Sequence, residues 1–347
     1  MAKRDIIVIG ASAGGVEALK TVISGLPAAL PATVLVVLHI PASSPSRLSA
    51  ILARAGKLTV AQPRVDARLQ PGWLYVAPPD HHLTLRGDLA HLSRGPRVNG
   101  FRPAVDPLFQ TAAREAGPRV IGVVLSGGLD DGTGGMASIQ RGGGATVVQD
   151  PSDALHSAMP RSVLEQMTVD RVLPAARIAR ALVELAGQTV PDRSSSSRTS
   201  PAHEAEDSET ERIAPGDQLR PGSGYTCPEC HGALWQTGAE GSRFRCRVGH
   251  EYTPEGLFCA QSAALESSIW AAYRALGESA SLAHRLARRA RGQGLFHLAE
   301  RYERRRADAR ERAEQVRHML ENRRIDAQLD GDDVEAAEDA APRREQA

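Results

Sequence analysis

Apolar residues in the first half of the chain fall into short β-rich runs at Asp5–Gly10, Thr33–Leu38, Leu58–Ala61, Trp73–Ala77, Arg119–Ser126 and Ala145–Gln149. Several of these runs are apolar at consecutive positions, so both faces of the strand need cover, as in a parallel sheet with helices on each side. Amphipathic stretches between and after them predict helices at Gly14–Leu26, Pro45–Gly56, Ala104–Gly117, Gly132–Gly142 and Arg177–Gly187. This alternation predicts an α/β domain with a doubly wound, mostly parallel sheet and helices on both faces, over residues 1–187. The segment from His81 to Leu92 interrupts the pattern and reads as a hairpin turned at Gly87-Asp88.

Beyond residue 187 the pattern changes. Residues 188–224 carry SSSSRTSP and HEAEDSETE with almost no large apolar side chain, which predicts a disordered linker. Residues 225–253 form a compact Cys/His segment. Residues 254–323, rich in Ala, Leu, Arg and Glu, predict a helical segment broken near Gly292-Gln293-Gly294, and 324–347 an acidic, disordered tail. There is no internal repeat.

Composition removes several classes of function. The chain of 347 residues has 42 Lys+Arg against 41 Asp+Glu, a formal net charge of +1, which gives no overall attraction to nucleic acid or to an acidic membrane. The N-terminal apolar run is too short for a signal peptide and ends in a glycine turn, and every apolar run is strand-sized, so no membrane insertion is expected. Four cysteines, three of them close together, suit a metal site in a reducing, cytoplasmic setting better than a disulfide framework.

In IIVIGASAGGVEAL a strand runs through a glycine-rich turn into a helix, placing Ser12 at the carboxyl edge of the sheet beside a helix N-terminus. The turn could cradle a phosphate, or present Ser12 as a nucleophile with neighbouring N–H groups as an oxyanion hole. It has neither the lysine of a P-loop nor the G-x-G-x-x-G or G-x-S-x-G spacing. The second strand ends in His39, and the run VIGVVLSGG leads into a loop holding Asp130 and Asp131. Parallel strands bring such ends to one edge, so a nucleophile, a base and an orienting acid can converge there. The bland alternative is that His39 ends a strand and the aspartates cap a helix. The paired His81 and His82 lack a third ligand at metal spacing and read as loop residues.

The motifs IGASAGGVEAL, LHIPASSPSRL, WLYVAPPDHHL, RPAVDPLF, VLSGGLDDGTGGM and QDPSDALHSAMPRSVLE, in that order over residues 5–187, resemble the catalytic domain of the chemotaxis protein-glutamate methylesterases (CheB-type). The resemblance implies Ser12 as nucleophile, His39 as base and Asp131 as acid, with Asp130 standing where the family usually has asparagine. It implies hydrolysis of glutamyl methyl esters with release of methanol, a related glutamine deamidation, and no cofactor for catalysis. It implies a methylated chemotaxis-type receptor as substrate. Ala13, Gly14 and Gly128 would supply oxyanion contacts and Arg102 a substrate contact. Val105, Asp106 and Met159-Pro160-Arg161 also match family stretches near the cleft. Two positions depart from the pattern: Ala13 replaces a frequent threonine, and Gly128 a frequent methionine beside the oxyanion site. The family's familiar members carry an N-terminal phospho-receiver domain, and the chain begins directly at the first esterase strand, so that switch is not expected within it.

TCPECHGALW and FRCRVGHEY set Cys227 and Cys230 in C-x-x-C and Cys246 and His250 in C-x-x-x-H, fifteen residues apart. Four such ligands suit tetrahedral Zn²⁺ in a closed, structural site, and predict a small zinc ribbon whose folding depends on the metal. His231 is a weaker candidate ligand, and Cys259 is expected to pack within a helix. Arg243, Arg245 and Arg247 could touch nucleic acid, but an arginine cluster is more often a solvated face. Across a disordered linker the ribbon should fold and melt independently of the esterase. It and the C-terminal helices would then serve as a docking or regulatory module for another protein. Two competing readings are a catalytically degenerate esterase scaffold acting as a binding module, and a nucleotide-binding α/β protein.

Overall fold

The computed structural model describes residues 2–41, 46–191, 222–237 and 243–339, with side chains through residue 321. Most of the expected linker at 188–224 lies outside these residues, whereas the tail at 324–347, expected to be disordered, continues the last helix as far as Asp339. The chain divides into two compact units, Met1–Ala260 and Gln261–Ala347.

Seven parallel strands form the central sheet: β1 (Ile6–Ala11), β2 (Thr33–Leu38), β3 (Thr59–Ala61), β4 (Trp73–Val76), β5 (Val120–Val124), β6 (Ala145–Gln149) and β7 (Arg171–Leu173). Their order is β7-β6-β5-β1-β2-β4-β3, so the winding direction reverses between β1 and β5. Every residue of β1, β2, β5 and β6 is buried. Alternate side chains face opposite layers. Ile7 and Ile9 pack with α1 (Gly15–Ser24), α2 (Leu48–Ala55) and α6 (Ala175–Leu185). Ile6 and Val8 pack with α3 (Val105–Ala116), α4 (Thr133–Arg141) and α5 (Ala158–Gln166). In α1 the buried Ala18, Leu19, Val22 and Ile23 make one stripe, while Glu17 and Lys20 pair on the solvent side at 2.7 Å. Removing such a core side chain, as in Ile9→Ala, costs about 2–5 kcal/mol.

Two elements escaped the sequence pattern. The edge strand β7 has three residues, none of them buried, and carries no apolar run. Helix α5 holds Pro160 in its first turn, where the missing N–H would have had no intrahelical partner in any case. The hairpin is present, His82–Arg86 pairing with Leu89–Ser93, with Ala67–Arg68 added at its other edge.

The Cys/His segment is an antiparallel meander of Gly222–Thr226, Ala233–Thr237, Arg243–Cys246 and Glu251–Tyr252. It is not set apart from the α/β domain, as the intervening composition suggested, but belongs to the same unit. The backbone of Asn99 donates to Glu251 O at 2.8 Å, and Arg243 reaches the buried Asp106. An ion pair between segments 137 residues apart leaves no trace in local sequence. Helix α7 (Pro254–Gly292) starts here, and α8 (Phe296–Asp339) follows the left-handed Gly294. Within the second unit, Glu303 draws together Arg306, Arg291 and His284. Cys259 is exposed on α7 rather than packed. No helix among the described residues is long and apolar enough to cross a membrane.

Candidate active site

The site lies where the sheet reverses. Ala11 pairs with Leu38 and Gly10 with Val124, so β1, β2 and β5 end at one level. Crevices at this point of a doubly wound sheet are the usual ligand sites. Ser12 follows β1, His39 follows β2, and the loop after β5 carries Asp131. His39 Nδ1 lies 3.1 Å from Ser12 Oγ, and His39 Nε2 lies 2.7 Å from Asp131 Oδ2. The carboxylate accepts, so the Nε2–H donates to it and Nδ1 is left as the acceptor facing serine. The ring is presented in the reverse sense to the familiar protease triad, with the same connectivity. Phe101 stacks on the imidazole, centroids 3.8 Å apart and planes 4° apart, fixing the ring's plane from one side.

Asp131 is buried and saturated. Its Oδ2 also accepts from Val105 N at 2.6 Å, and its Oδ1 from Asp106 N at 3.2 Å and Asn99 Nδ2 at 3.3 Å. The first two amides belong to the N-terminus of α3, whose dipole favours an anion. Burial pushes the Asp131 carboxyl up, but the His39 hydrogen bond and charge, with these amides, outweigh it and hold it below the usual carboxylate range. Asp106, on α3, in turn accepts from Gly132 N at 3.1 Å and Gly135 N at 2.7 Å, capping α4. Each of the two helices is thus capped by an acid that the other's entry positions. Asp130 points elsewhere, accepting from Thr253 Oγ at 3.0 Å, and burial raises its carboxyl to about 6. The preceding Leu129 holds a left-handed backbone at φ 63°, unusual for a side chain of that size.

Around Ser12 the backbone is tight. Gly14 is left-handed at φ 69°, and a Cβ there would lie 2.7 Å from Ser126 Oγ. A Cβ on Gly127 would lie 2.0 Å from Met159 Sδ and 2.9 Å from Ser12 Cβ, so Met159 packs directly beneath the serine turn. Gly128, by contrast, has open space where a side chain would be. The amides of Ala13, Gly14 and Gly128 make no backbone hydrogen bond among the described residues.

A cleft of about 860 Å³ opens over Ser12 and His39, walled by Ala13, Ile40, Arg97, Phe101 and Arg102 among others. Arg102 is already engaged: Nε and Nη2 bond Asp80 Oδ1 at 3.0 and 2.5 Å, and Nη1 bonds Gly95 O at 2.8 Å. It shapes the cleft wall more than it offers a free cation. His82 is buried, donating from Nε2 to Pro96 O at 2.9 Å and accepting from Ala104 N at 3.3 Å, and burial lowers its pKa. His82 is therefore structural, and His81 Nδ1 lies 3.0 Å from Pro79 O within its own loop. Phe101 and Asn99 were missed by sequence reasoning, since single residues in a polar loop give no periodic or motif signal.

The four sulfur and imidazole ligand atoms of Cys227, Cys230, Cys246 and His250 lie within 4.8 Å of one another. Cys230 and Cys246 sulfurs are 3.6 Å apart, and Cys246 Sγ is 3.4 Å from His250 Nδ1. His250 Nε2 faces Glu229 at 3.9 Å, the kind of outer partner that fixes a ligating imidazole. His231 does not join this group.

A serine, a buried histidine and a saturated aspartate thus stand in hydrogen-bond series at the switch point of a parallel sheet. The chain belongs to the CheB methylesterase family, whose model matches residues 7–182. It is 42% identical over 184 residues to "Protein-glutamate methylesterase/protein-glutamine glutaminase 2" of Anaeromyxobacter dehalogenans, covering 53% of this chain and 54% of that relative. To "Putative protein-glutamate methylesterase/protein-glutamine glutaminase" of Leptospira interrogans it is 38% identical over 182 residues, covering 52% of this chain and 94% of the relative. The crystal structure of the Thermotoga maritima CheB methylesterase catalytic domain matches at 35% identity and TM-score 0.51, over 53% of this chain and all of that one. The match to the Anaeromyxobacter protein thus spans about half of its length.

Proposed function

We propose that the chain hydrolyses glutamyl methyl esters on a signalling protein, with Ser12 as nucleophile, His39 as general base and Asp131 as the orienting acid. The observation that carries the reading is the unbroken series Ser12–His39–Asp131 at 3.1 and 2.7 Å, opening on a cleft. Ser12 Oγ attacks the ester carbonyl as its proton passes to His39 Nδ1. Asp131 stabilises the imidazolium, which returns the proton to the departing methoxide so that methanol leaves. Water then attacks the acyl-serine with His39 again as base, restoring Ser12 and leaving a glutamate. The free amides of Ala13, Gly14 and Gly128 are the candidate donors to the tetrahedral oxyanion. The same steps with a glutamine carboxamide would release ammonia.

The relatives' names speak of protein glutamate methyl esters, and from the motif resemblance to the chemotaxis methylesterases we assign a methylated chemotaxis-type receptor in the cytoplasm as the substrate. The Cys₃His set suits structural Zn²⁺: its soft thiolates, closed count of four and small ribbon of few apolar residues fit a metal that contributes folding energy. Bound there, Zn²⁺ would hold the two knuckles together and would have no open position for chemistry. The helices beyond Pro254 are candidates for docking a regulatory protein. Intact Asp131 ligation favours a working hydrolase over a degenerate scaffold, and the missing lysine weighs against a nucleotide.

Methanol release from a methylated receptor fragment tests the reading. Wild type should release methanol and Ser12→Ala should fall by about 10⁴-fold or more. Equal release by both proteins would overturn it.

A further inference from the structure

The Cys/His meander docks on the far side of the acid that orients His39. Arg243, on its third strand, is 17% exposed at the side chain, and Asp106 is 1% exposed. Arg243 Nη2 lies 2.5 Å from Asp106 Oδ2. The other Asp106 oxygen holds Gly132 N, directly after Asp131, and Gly135 N in the first turn of α4. The backbone N of Asp106 donates to Asp131 itself. Gly134 has no room for a side chain, because its Cβ would fall 2.2 Å from Arg243 Nη2.

A second link runs through Asn99. Its amide nitrogen donates to Asp131 Oδ1, and its amide oxygen accepts from Thr253 N at 3.0 Å. Thr253 Oγ donates to Asp130 at 3.0 Å. All three acids around the loop, Asp106, Asp130 and Asp131, therefore take a direct or one-residue contact from the meander.

Resting on the esterase reading above, the geometry points to Arg243 as a positioning residue for ester hydrolysis, reaching Asp131 through Asp106. Asp106 and Asp131 are neighbouring buried carboxylates, and two such groups cannot both stay ionised without a counter-charge. Burial, with Asp131, holds the Asp106 carboxyl above its usual range, while Arg243 opposes them, its own guanidinium held charged by the same contact. With Arg243 seated, both Asp106 oxygens accept, Oδ1 from Gly132 N and Gly135 N and Oδ2 from the guanidinium, a donor set that suits a carboxylate. Without it, Asp106 takes up a proton or moves away from Asp131. Either response weakens its hold on Gly132 and Gly135, and the loop that presents Asp131 to His39 loosens. Arg243 lies three residues before the ligand candidate Cys246 on the same strand and turn, so the fold of the Cys/His module and the alignment of the triad become one property.

The test uses the full chain, as purified with its metal, and p-nitrophenyl acetate as probe. Arg243→Met should lower kcat by about 10- to 100-fold with KM within about twofold, the size of effect seen for partners one shell out from a site. Arg243→Lys, which keeps the charge, should recover most of the loss, and Arg245→Met should behave as wild type. The double variant Asp106→Asn with Arg243→Met removes both charges and leaves an amide oxygen for Gly132 and Gly135. It should be more active than Arg243→Met, and should fold if the single variant does not. Ser12-dependent hydrolysis that is unchanged in folded Arg243→Met would overturn this inference alone. So would a folded double variant as inactive as Ser12→Ala, or an Arg243→Lys no better than Arg243→Met. A wild type without Ser12-dependent hydrolysis would overturn the esterase reading beneath it.

Discussion

Adjacent aspartates with opposite surroundings make Asp131→Asn and Asp130→Asn a sharp pair of perturbations. Asp131 accepts from four donors: His39 Nε2, Val105 N, Asp106 N and Asn99 Nδ2. An asparagine offers an acceptor on one side only. If its oxygen faces Asp106 and Asn99, its NH₂ faces His39, which must then carry its proton on Nδ1 and cannot accept from Ser12. That wrong-tautomer arrangement costs about 10⁴-fold in kcat in the serine proteases, and we expect a similar loss. In that orientation Val105 N loses its acceptor, and in the other Asp106 N and Asn99 Nδ2 do, at about 1–3 kcal/mol each. Asp130 has no contact with His39, and its replacement should change kcat by less than about tenfold. Its stability effect has a definite sign. A folded carboxyl raised to about 6 binds protons more readily than the unfolded one, so ionising it above that pH destabilises the fold. Asp130→Asn should thus match wild type in stability near pH 4 and exceed it near pH 8, by on the order of 2 kcal/mol. Thermal unfolding across that range and steady-state hydrolysis of a small ester read out both effects. An Asp130→Asn more damaging to kcat than Asp131→Asn would refute the assignment of the acid, and a stability gain that shrinks as pH rises would refute the burial argument.

Three further outcomes follow from the same geometry. Gly127→Ala should cost about 1–3 kcal/mol and most of the activity, because its Cβ would collide with Met159 and Ser12; a variant with wild-type melting and kcat would contradict that packing. Hydrolysis should fall by about 10⁴-fold or more in His39→Ala, and a variant near wild-type activity would count against histidine as base. Elemental analysis should find one zinc per chain, and its removal or Cys246→Ser should lower the unfolding temperature of the whole Met1–Ala260 unit and reduce esterase activity, where an independent module would melt alone and leave hydrolysis intact.

Much of the esterase half is legible in the chain because buried parallel strands must be apolar at consecutive positions, and because parallel strands deliver their ends to one edge. Ser12, His39 and Asp131 each follow such a run, so their convergence at that edge is legible in the sequence. The Cys/His spacing is equally local. What the chain conceals is everything joined over long separations. Arg243 looks like one of three arginines on a ribbon, and only its seat against Asp106 sets it apart from Arg245 and Arg247. Composition suggested a separate module across residues 188–224, but composition cannot report a docking surface made of one buried ion pair and an asparagine bridge. Arg102 is a further case: a motif match implied a substrate contact on the cleft wall, but nothing local shows that Asp80 and Gly95 bond its guanidinium. Phe101, stacked on His39, is a lone aromatic between glycine and arginine, with no pattern to mark it.

Mass spectrometry of a methylated receptor fragment, before and after incubation with the protein, addresses the proposed activity most directly. Wild type should convert glutamyl methyl ester positions to glutamate, each losing the mass of one methylene group, while Ser12→Ala leaves them methylated. Retention of every methyl ester with wild type, or equal loss with Ser12→Ala, would contradict Ser12-dependent ester hydrolysis.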